Sequence, residues 1–454
     1  MSARSGRWTT YLSWRLVRLV EGPIKEACAA GFTLAALLAD RRRAATRGVD
    51  GRIGVVVQEF FDGALGGFGG FGLTTRMMVD TLGAQGDGRR VLVILPQDLG
   101  LVDRAEVRRI DGADVLLLPS LPRLLRRPWR LVRLLRELHP AVLVTIDYLP
   151  RYEYVLWAAP RLPLVIYLGD PRGARDWERI ATVDAEWQSH RWPHRRVLLE
   201  LAAHHRASYR RLRRWSRWLG RPLTFATDSQ CLVERARDKF GEPGLDAHFL
   251  PTPMELPALP LPSPTSSRPM LLFLGRLVPQ KRPWIVYELA RRMPGVDFVV
   301  AGAEPPSPAV APLLAGYGVV SNVRRVGLVL GAAKEALLGQ CWALLNTSIH
   351  EGMPVSFLEA FGHARPVVSC VDPDGVVSRF GYPVGEVLGD GRAERDLAAF
   401  ERAIRAAVEG PEGRRQRGLA ARRFVEEVHT PEHFRERFGA MLAAERIDAR
   451  AADQ

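Results

Sequence analysis

The chain has 454 residues, of which 47% are hydrophobic and 25% charged, a length that predicts two or three domains rather than one core. Its four cysteines, at 28, 231, 341 and 370, show neither CxxC nor Cys/His spacing, which argues against a disulfide framework or a zinc site and for a reducing, cytoplasmic setting. The longest early apolar stretch, 27–39, has thirteen residues, short of the roughly twenty that span a bilayer; Arg15 and Arg18 interrupt the apolar residues before it, so neither a signal peptide nor a membrane span is predicted.

The formal net charge is +14, and its location matters more than its size. Residues 1–50, 123–137 and 191–221 carry nets of +5, +5 and +9, together more than the whole chain, so the basic excess belongs to the first half. An anionic partner on that half follows, either membrane lipid or a phosphate-linked acceptor. Within residues 1–50 a basic amphipathic extension is expected, since Trp8, Leu12, Leu16 and Leu19 recur at near-helical spacing among arginines.

Gly54–Gln58 predicts a strand, the glycine-rich stretch Phe60–Gly72 a loop, and Leu73–Leu82 a helix, which is the opening unit of a Rossmann-like domain over 51–250. Glycines here allow close backbone approach to a ligand. There is no clean G-x-G-x-x-G and no Walker lysine. Strands at Val91–Leu95, Val115–Leu118, Val142–Ile146, Leu164–Leu168 and Thr224–Thr227 alternate with helical stretches, predicting a parallel sheet whose ligands lie beyond the strands' carboxyl ends. Gly169-Asp170-Pro171-Arg172 follows one such end, and Asp170 is read as facing the cleft or forming a turn. Arg206–Arg221 places Leu212, Trp215 and Leu219 on one helical face beside Trp218, a composition that suits a membrane surface or a core-facing helix with a solvated basic side; no nucleic-acid module surrounds it, and no specific nucleic acid is expected.

The Pro- and Ser-rich stretch 251–269 is read as a linker. Beyond it, 270–428 is expected to form a second Rossmann-like domain and 429–454 a final helix that packs back on the first. Met270–Leu274 is a predicted strand, followed by Gly275-Arg276-Leu277-Val278-Pro279-Gln280-Lys281 and a helix from about Pro283. Strands are expected at Phe298–Ala301, Val323–Val326, Ala343–Leu345 and Pro366–Cys370, and helices at Asp396–Val408 and Pro431–Ala444. Between the strands at 343 and 366, Ser348-Ile349-His350-Glu351-Gly352-Met353-Pro354 leads into a helix over Val355–His363 that carries Glu359. A loop-to-helix junction presents free N–H groups that suit a phosphate. Carboxylates beside it are better employed on hydroxyls, and a sugar nucleotide has both parts. Asp372-Pro373-Asp374 has the form of a D-x-D metal motif, but its proline and the following glycine predict a turn, and no metal is assigned.

The string S-x-x-E-G-x-P-x-x-x-x-E-A, followed by Arg365-Pro366-Val367-Val368 and preceded by G-R-L-x-x-x-K, resembles the donor site of retaining GT-B glycosyltransferases, in particular glycosyltransferase family 4 (glycosyl transferases group 1). The resemblance covers about 268–445 well and the first half in outline. It implies two Rossmann-like domains facing across a cleft and a nucleotide-diphosphate sugar as co-substrate, with no cofactor. The acceptor would be a glycan or lipid-linked precursor held mainly by the first domain, and the setting the cytoplasm or the inner face of the membrane.

By the same resemblance Arg276 and Lys281 stabilise the diphosphate, Glu351 orients the sugar, and Glu359 holds the ribose. The amides over Gly352, Met353, Pro354, Val355, Ser356 and Phe357 lie near the phosphates. Gly275, Gly327 and Val329 complete the donor site, the last two against the base. Gly69 and Gly70 match a Gly-Gly pair that lines the cleft near the donor phosphates and acceptor. Asp170 stands where relatives commonly carry a histidine, and Val376–Glu386 departs from the usual G-G-x-P-E. A non-catalytic binding protein of this fold and a basic nucleic-acid-binding protein are the readings from other classes. A phosphorylase would need a pyridoxal phosphate lysine, for which no motif is present.

Overall fold

The computed structural model describes residues 23–38, 51–60, 65, 69–83, 91–96, 101–120, 123–124, 126–185, 195–261 and 264–445. Most of the expected basic extension 1–50, the middle of the glycine-rich loop and the last nine residues lie outside these.

The first half builds an eight-stranded sheet from β1 (Arg52–Val56), β2 (Val91–Leu95), β3 (Glu106–Ile110), β4 (Ala113–Leu117), β5 (Pro140–Ile146), β6 (Leu164–Leu168), β7 (Leu223–Thr227) and β8 (His248–Phe249). Their order is β3-β4-β2-β1-β5-β6-β7-β8, parallel except for the β3–β4 hairpin. The second sheet holds β9 (Met270–Leu274), β10 (Asp297–Ala301), β11 (Val323–Gly327), β12 (Ala343–Asn346), β13 (Val367–Ser369) and β14 (Tyr382–Pro383), all parallel, in the order β11-β10-β9-β12-β13-β14. In each sheet the order reverses beside the first strand, at β1/β5 and at β9/β12. That reversal opens a crevice beyond the strand ends, where such sheets bind ligands.

Both faces of the central strands are apolar because helices cover both. One face of the first sheet carries Val56, Leu92, Ile94 and Leu143 against α1 (23–38), α3 (Pro128–Glu137), α4 (Glu153–Ala158), α6 (Arg195–Leu219) and α7 (Gln230–Phe240). The opposite face carries Val55, Val93 and Val144 against α2 (Gly70–Gly83) and the last helix, α12 (Pro431–Ala444), through Phe434, Phe438, Met441 and Leu442. The chain's end thus completes the core of its beginning. In the second domain α8 (Trp284–Arg292), α9 (Gly331–Gln340), α10 (Val355–Gly362) and α11 (Pro411–Val428) cover the six-stranded sheet, and α5 (Ala174–Ile180) of the first half joins this core through Ile180.

The chain crosses between the domains twice, and the two crossings touch: the Met254 N–H donates to the carbonyl of His429 at 2.7 Å. Pro251–Met254 is buried at this junction, so the proline-rich stretch is exposed only in its later part. The edge strand β3 escapes hydrophobic reading because it is Glu-Val-Arg-Arg-Ile, and its hairpin turn is Asp111-Gly112, both with positive φ, the two-residue turn that fits strand twist.

Candidate functional site: a cleft at the two switch points

The loops after β1, β5 and β6 face those after β9, β11 and β12 across a cavity of about 290 Å³. Its second-domain wall contains Gly275, Arg276, Lys281, Val329, Lys334, Glu351, Gly352, Met353, Pro354, Val355, Ser356 and Glu359. Residues up to 84 positions apart in sequence therefore meet because β9 and β12 are adjacent strands whose ends open on the same side.

The carboxylates and cations of this wall are paired. Lys281 Nζ is in contact with Glu351 Oε1, and Asn346 Nδ2 donates to the same oxygen at 3.4 Å. Burial alone would raise the Glu351 carboxyl, but Lys281 and the hydroxyl of Ser348 outweigh it and hold Glu351 below the usual carboxylate range. Glu359 is met by Lys334 Nζ at 2.5 Å, from the first turn of α9. Burial dominates here, and the Glu359 carboxyl is raised despite the lysine. Arg276 is exposed, and among the described residues no acid lies within ion-pair distance of its guanidinium. It is available to a ligand.

Helix α10 begins at this wall because Pro354 ends the preceding extended segment and cannot itself donate. The Val355 and Ser356 N–H groups have no acceptor among the described residues, whereas Phe357 N–H is bonded to the carbonyl of Pro354 at 2.9 Å. Two free amides at a helix N-terminus form an anion cradle. Phe357, expected in that cradle, instead has its side chain fully buried in the core and its amide spent. Gly327, expected against the base, ends β11 with φ +70°, and its carbonyl accepts from Gly302 N–H at 2.9 Å; the cavity is lined by the residues after it, Leu328, Val329 and Leu330.

A buried arginine holds the loop in place. Arg282, fully buried with φ +45°, donates to the carbonyls of Thr347, Ser348, Val387 and Gly389 at 2.7, 3.2, 3.0 and 2.8 Å. It follows Lys281 directly, so one turn of chain supplies both a cleft cation and the anchor of the loop carrying Glu351.

The first-domain wall has a different character. Gly69 and Gly70 line it, and a Cβ at Gly69 would stand 1.9 Å from Glu59 Oε1. The glycine therefore makes room for Glu59, whose Oε1 accepts from Gly72 N–H at 3.2 Å. The start of α2, near which the resemblance expects donor phosphates and acceptor, holds this carboxylate. Burial raises the Glu59 carboxyl, opposed by Arg276 across the cleft and by the amides of Gly72 and Phe71.

Asp170 lines the same wall, accepting from Arg172 Nε at 2.9 Å and contacting His350 Nε2 at 2.7 Å. Arg172 and His350 outweigh burial and hold Asp170 well below the usual carboxylate range. The other ring nitrogen of His350 lies 3.4 Å from Asp176, and Arg172 also donates to Gln280 at 2.8 Å. Asp170 is thus the centre of a bridge between domains. Asp228, deeper in the cavity, is pushed up to about 6 by burial, with Thr252 donating to it at 2.6 Å.

The domains touch where Gly352 meets Gly169: a Cβ at 352 would lie 2.3 Å from the Gly169 carbonyl oxygen. Asp372 and Asp374 spend their carboxylates on helix starts. Asp372 accepts from Val377 N–H at 2.6 Å, and Asp374 from the N–H groups of Gln230 and Cys231, both at 2.8 Å.

Glu59, Arg172, Asp228, Arg282, Lys334 and His350 carry no motif-level signal. Glu59 could have been found from its place just past the end of β1, and Arg172 from its place past β6; Lys334 could not, because it reaches Glu359 only through the packing of α9 on α10.

The architecture is GT-B, as the sequence predicts: two Rossmann-like domains with parallel sheets facing across a cleft. The family model described as Glycosyl transferases group 1 matches residues 268–408. Comparison with curated proteins found no match. Among solved structures the chain is similar to WaaG, a glycosyltransferase involved in lipopolysaccharide biosynthesis, with 15% identity and a TM-score of 0.57 over 86% of this chain and 99% of that one. It is also similar to Anabaena Alr3699/HepE in complex with UDP-glucose, with 14% identity and a TM-score of 0.60 over 87% and 99%. The third is the apo form of the lipopolysaccharide outer core galactosyltransferase WaaB, with 15% identity and a TM-score of 0.53 over 87% and 99%. At this identity the likeness is one of fold.

Proposed function

We propose that the chain is a glycosyltransferase that moves a sugar from a nucleoside-diphosphate sugar to a hydroxyl of an acceptor. One observation carries the reading: two free amides at the start of α10, the unpaired Arg276, Lys281 and the two acids Glu351 and Glu359 all open onto one cavity. A diphosphate fits the amides and cations, and the hydroxyls of a sugar and a ribose fit the acids.

In this reading the diphosphate lies at Val355–Ser356 between Arg276 and Lys281. As the glycosidic bond breaks, negative charge grows on the leaving phosphate, and both cations are already in place to stabilise it, so the step as proposed requires no metal. Glu351 accepts hydrogen bonds from sugar hydroxyls, and its depressed pKa keeps it an acceptor at neutral pH. Glu359 takes the ribose hydroxyls, with Lys334 holding its carboxylate, and the base lies along 328–330 through backbone groups. Retention at the anomeric carbon is supported by the Glu351-x7-Glu359 string. The acceptor, proposed as a glycan or lipid-linked precursor, meets the Glu59 and Asp170 wall. That wall is acidic, which favours a hydroxyl over a phosphate at the reacting end. The contact between Gly352 and Gly169 excludes water from one side of the cavity and limits donor hydrolysis.

A thermal-shift screen of nucleoside diphosphates and their sugar conjugates, with UDP-glucose among the first because HepE holds it, tests this directly. A rise in melting temperature with one nucleoside diphosphate, lost in Lys281→Ala, is the expected result. No rise with any of them would reject the donor site. A donor that binds but is never turned over with any acceptor extract would favour a binding protein of this fold.

A further inference from the structure

We infer that the outer helices of the first domain form a docking surface for a lipid bilayer with anionic headgroups. No helix among the described residues is long and apolar enough to cross a membrane, so the contact would be a peripheral one. The inference does not rest on the transfer reaction.

Three helices far apart in sequence are brought together, α3 and α6 carrying the arginines and α1 mostly apolar side chains. Helix α1 lays Ala29, Phe32 and Ala36 into the same core as Leu131, Val132 and Leu135 of α3 and Tyr209 and Leu212 of α6. Its first turns are tied to α6 by Glu26, which pairs with Arg214 and accepts from Trp215 Nε1 at 3.1 Å. Towards its other end, Ala36 shares a small cavity with Leu135 and Arg136 of α3. Helix α1 therefore bridges α3 and α6, and the outward sides of all three belong to one surface.

That surface combines apolar and cationic groups. Seven large apolar side chains among the described residues are more than half exposed. Five of them lie here: Ile24, Leu34 and Leu38 on α1, Trp129 on α3 and Trp218 on α6, the last 69% exposed. Arg126, Arg127, Arg130 and Arg133 are exposed around Trp129, and Arg210, Arg214 and Arg217 around Trp218. Two neighbouring acids are already matched, Glu26 by Arg214 and Glu137 by Arg133 at 2.7 Å.

Indole rings seat at the headgroup level, aliphatic side chains enter the acyl boundary, and arginines pair with lipid phosphates. Nucleic acid would satisfy the arginines and one or both indoles but leave Ile24, Leu34 and Leu38 against water or phosphate, which is why the bilayer is favoured.

The test is co-sedimentation of the full chain with phosphatidylcholine vesicles, with and without phosphatidylglycerol, at low and high salt. Two variants accompany it, Trp129→Ala/Trp218→Ala and Arg130→Glu/Arg133→Glu/Arg217→Glu. Binding to the anionic vesicles alone, weakened by salt and reduced about tenfold or more in both variants, is expected. Circular-dichroism melting separates lost binding from lost fold. For a variant that melts early, quenching of wild-type tryptophan emission by brominated phosphatidylglycerol decides instead, and no quenching overturns the proposal. Equal sedimentation of the variants and wild type, equal binding to neutral vesicles, or binding to duplex DNA or RNA without vesicle binding would each overturn it as well.

Discussion

The two walls of the cleft are built by the same reversal of strand order yet carry opposite chemistry. The second-domain wall offers three cations and two acids, Arg276, Lys281, Lys334, Glu351 and Glu359, with each acid matched by a lysine and Arg276 left free. The first-domain wall offers three acids and one cation, Glu59, Asp170, Asp228 and Arg172. The chain's basic excess is in the first domain, but it is on the outside. Net charge by domain would therefore mispredict the cleft: the basic domain presents the acidic wall. In the proposed reading a diphosphate belongs on one side and an uncharged nucleophile on the other, and the long-range basic field belongs to a third surface.

The largest expected effect tests whether the cationic wall is the donor wall. Lys281→Ala and Glu359→Ala should each lower donor binding or transfer by roughly ten- to a thousand-fold with little change in melting temperature, read by titration calorimetry and initial rates. Unchanged kinetics in both would erase the distinction between the walls.

A second substitution asks whether that wall is rigid by construction. Arg282→Ala leaves four carbonyls without their donor and should cost about 2–4 kcal/mol of stability in denaturant unfolding. A loss below about 0.5 kcal/mol would mean the loop holds itself.

On the acidic wall, Glu59→Gln keeps an acceptor for Gly72 N–H while removing a charge opposite Arg276. Nucleoside-diphosphate affinity should stay within about threefold of wild type, on the tighter side, because a repulsive neighbour is gone. A tenfold loss would place the donor on the wrong wall here.

The smallest effect concerns the junction that joins the walls. His429 is buried at the paired crossings, and burial lowers its pKa from the ordinary 6.5 to about 4. The unfolded chain takes up a proton near the ordinary value while the folded one resists it. The stability from the neutral ring is therefore complete above about 6.5 and is lost as pH falls towards 4. Melting temperatures of wild type and His429→Gln, compared between about pH 7 and pH 4, should converge on the acid side. A constant difference would show that the ring titrates normally.

Much of the second domain was legible because its signals are local. Strand ends, the G-R-L-x-x-x-K turn and the loop-to-helix junction at Pro354 each lie within a few residues, and the structure brings Arg276, Lys281, Glu351 and Glu359 to one cavity. Phe357 was misread because the first helical turn holds both cradle and core positions, and only the direction of its side chain separates them. Edge strand β3 was missed because its sequence is charged, although its Asp-Gly turn was in plain view. Asp170 was legible by position past a strand end, but its bridging role was not, since His350 comes from the other domain.

The sequence by itself determined the alternating strands and helices and the residue types in the loop between β12 and α10, because these depend on neighbours along the chain. The tertiary structure alone decided that Lys334 meets Glu359, that Glu59 accepts at the start of α2, and that three distant helices, two of them arginine-rich, share one face. Those outcomes depend on which strand lies next to which and on how helices pack across them, and no spacing in a linear chain encodes the distance between groups on different layers.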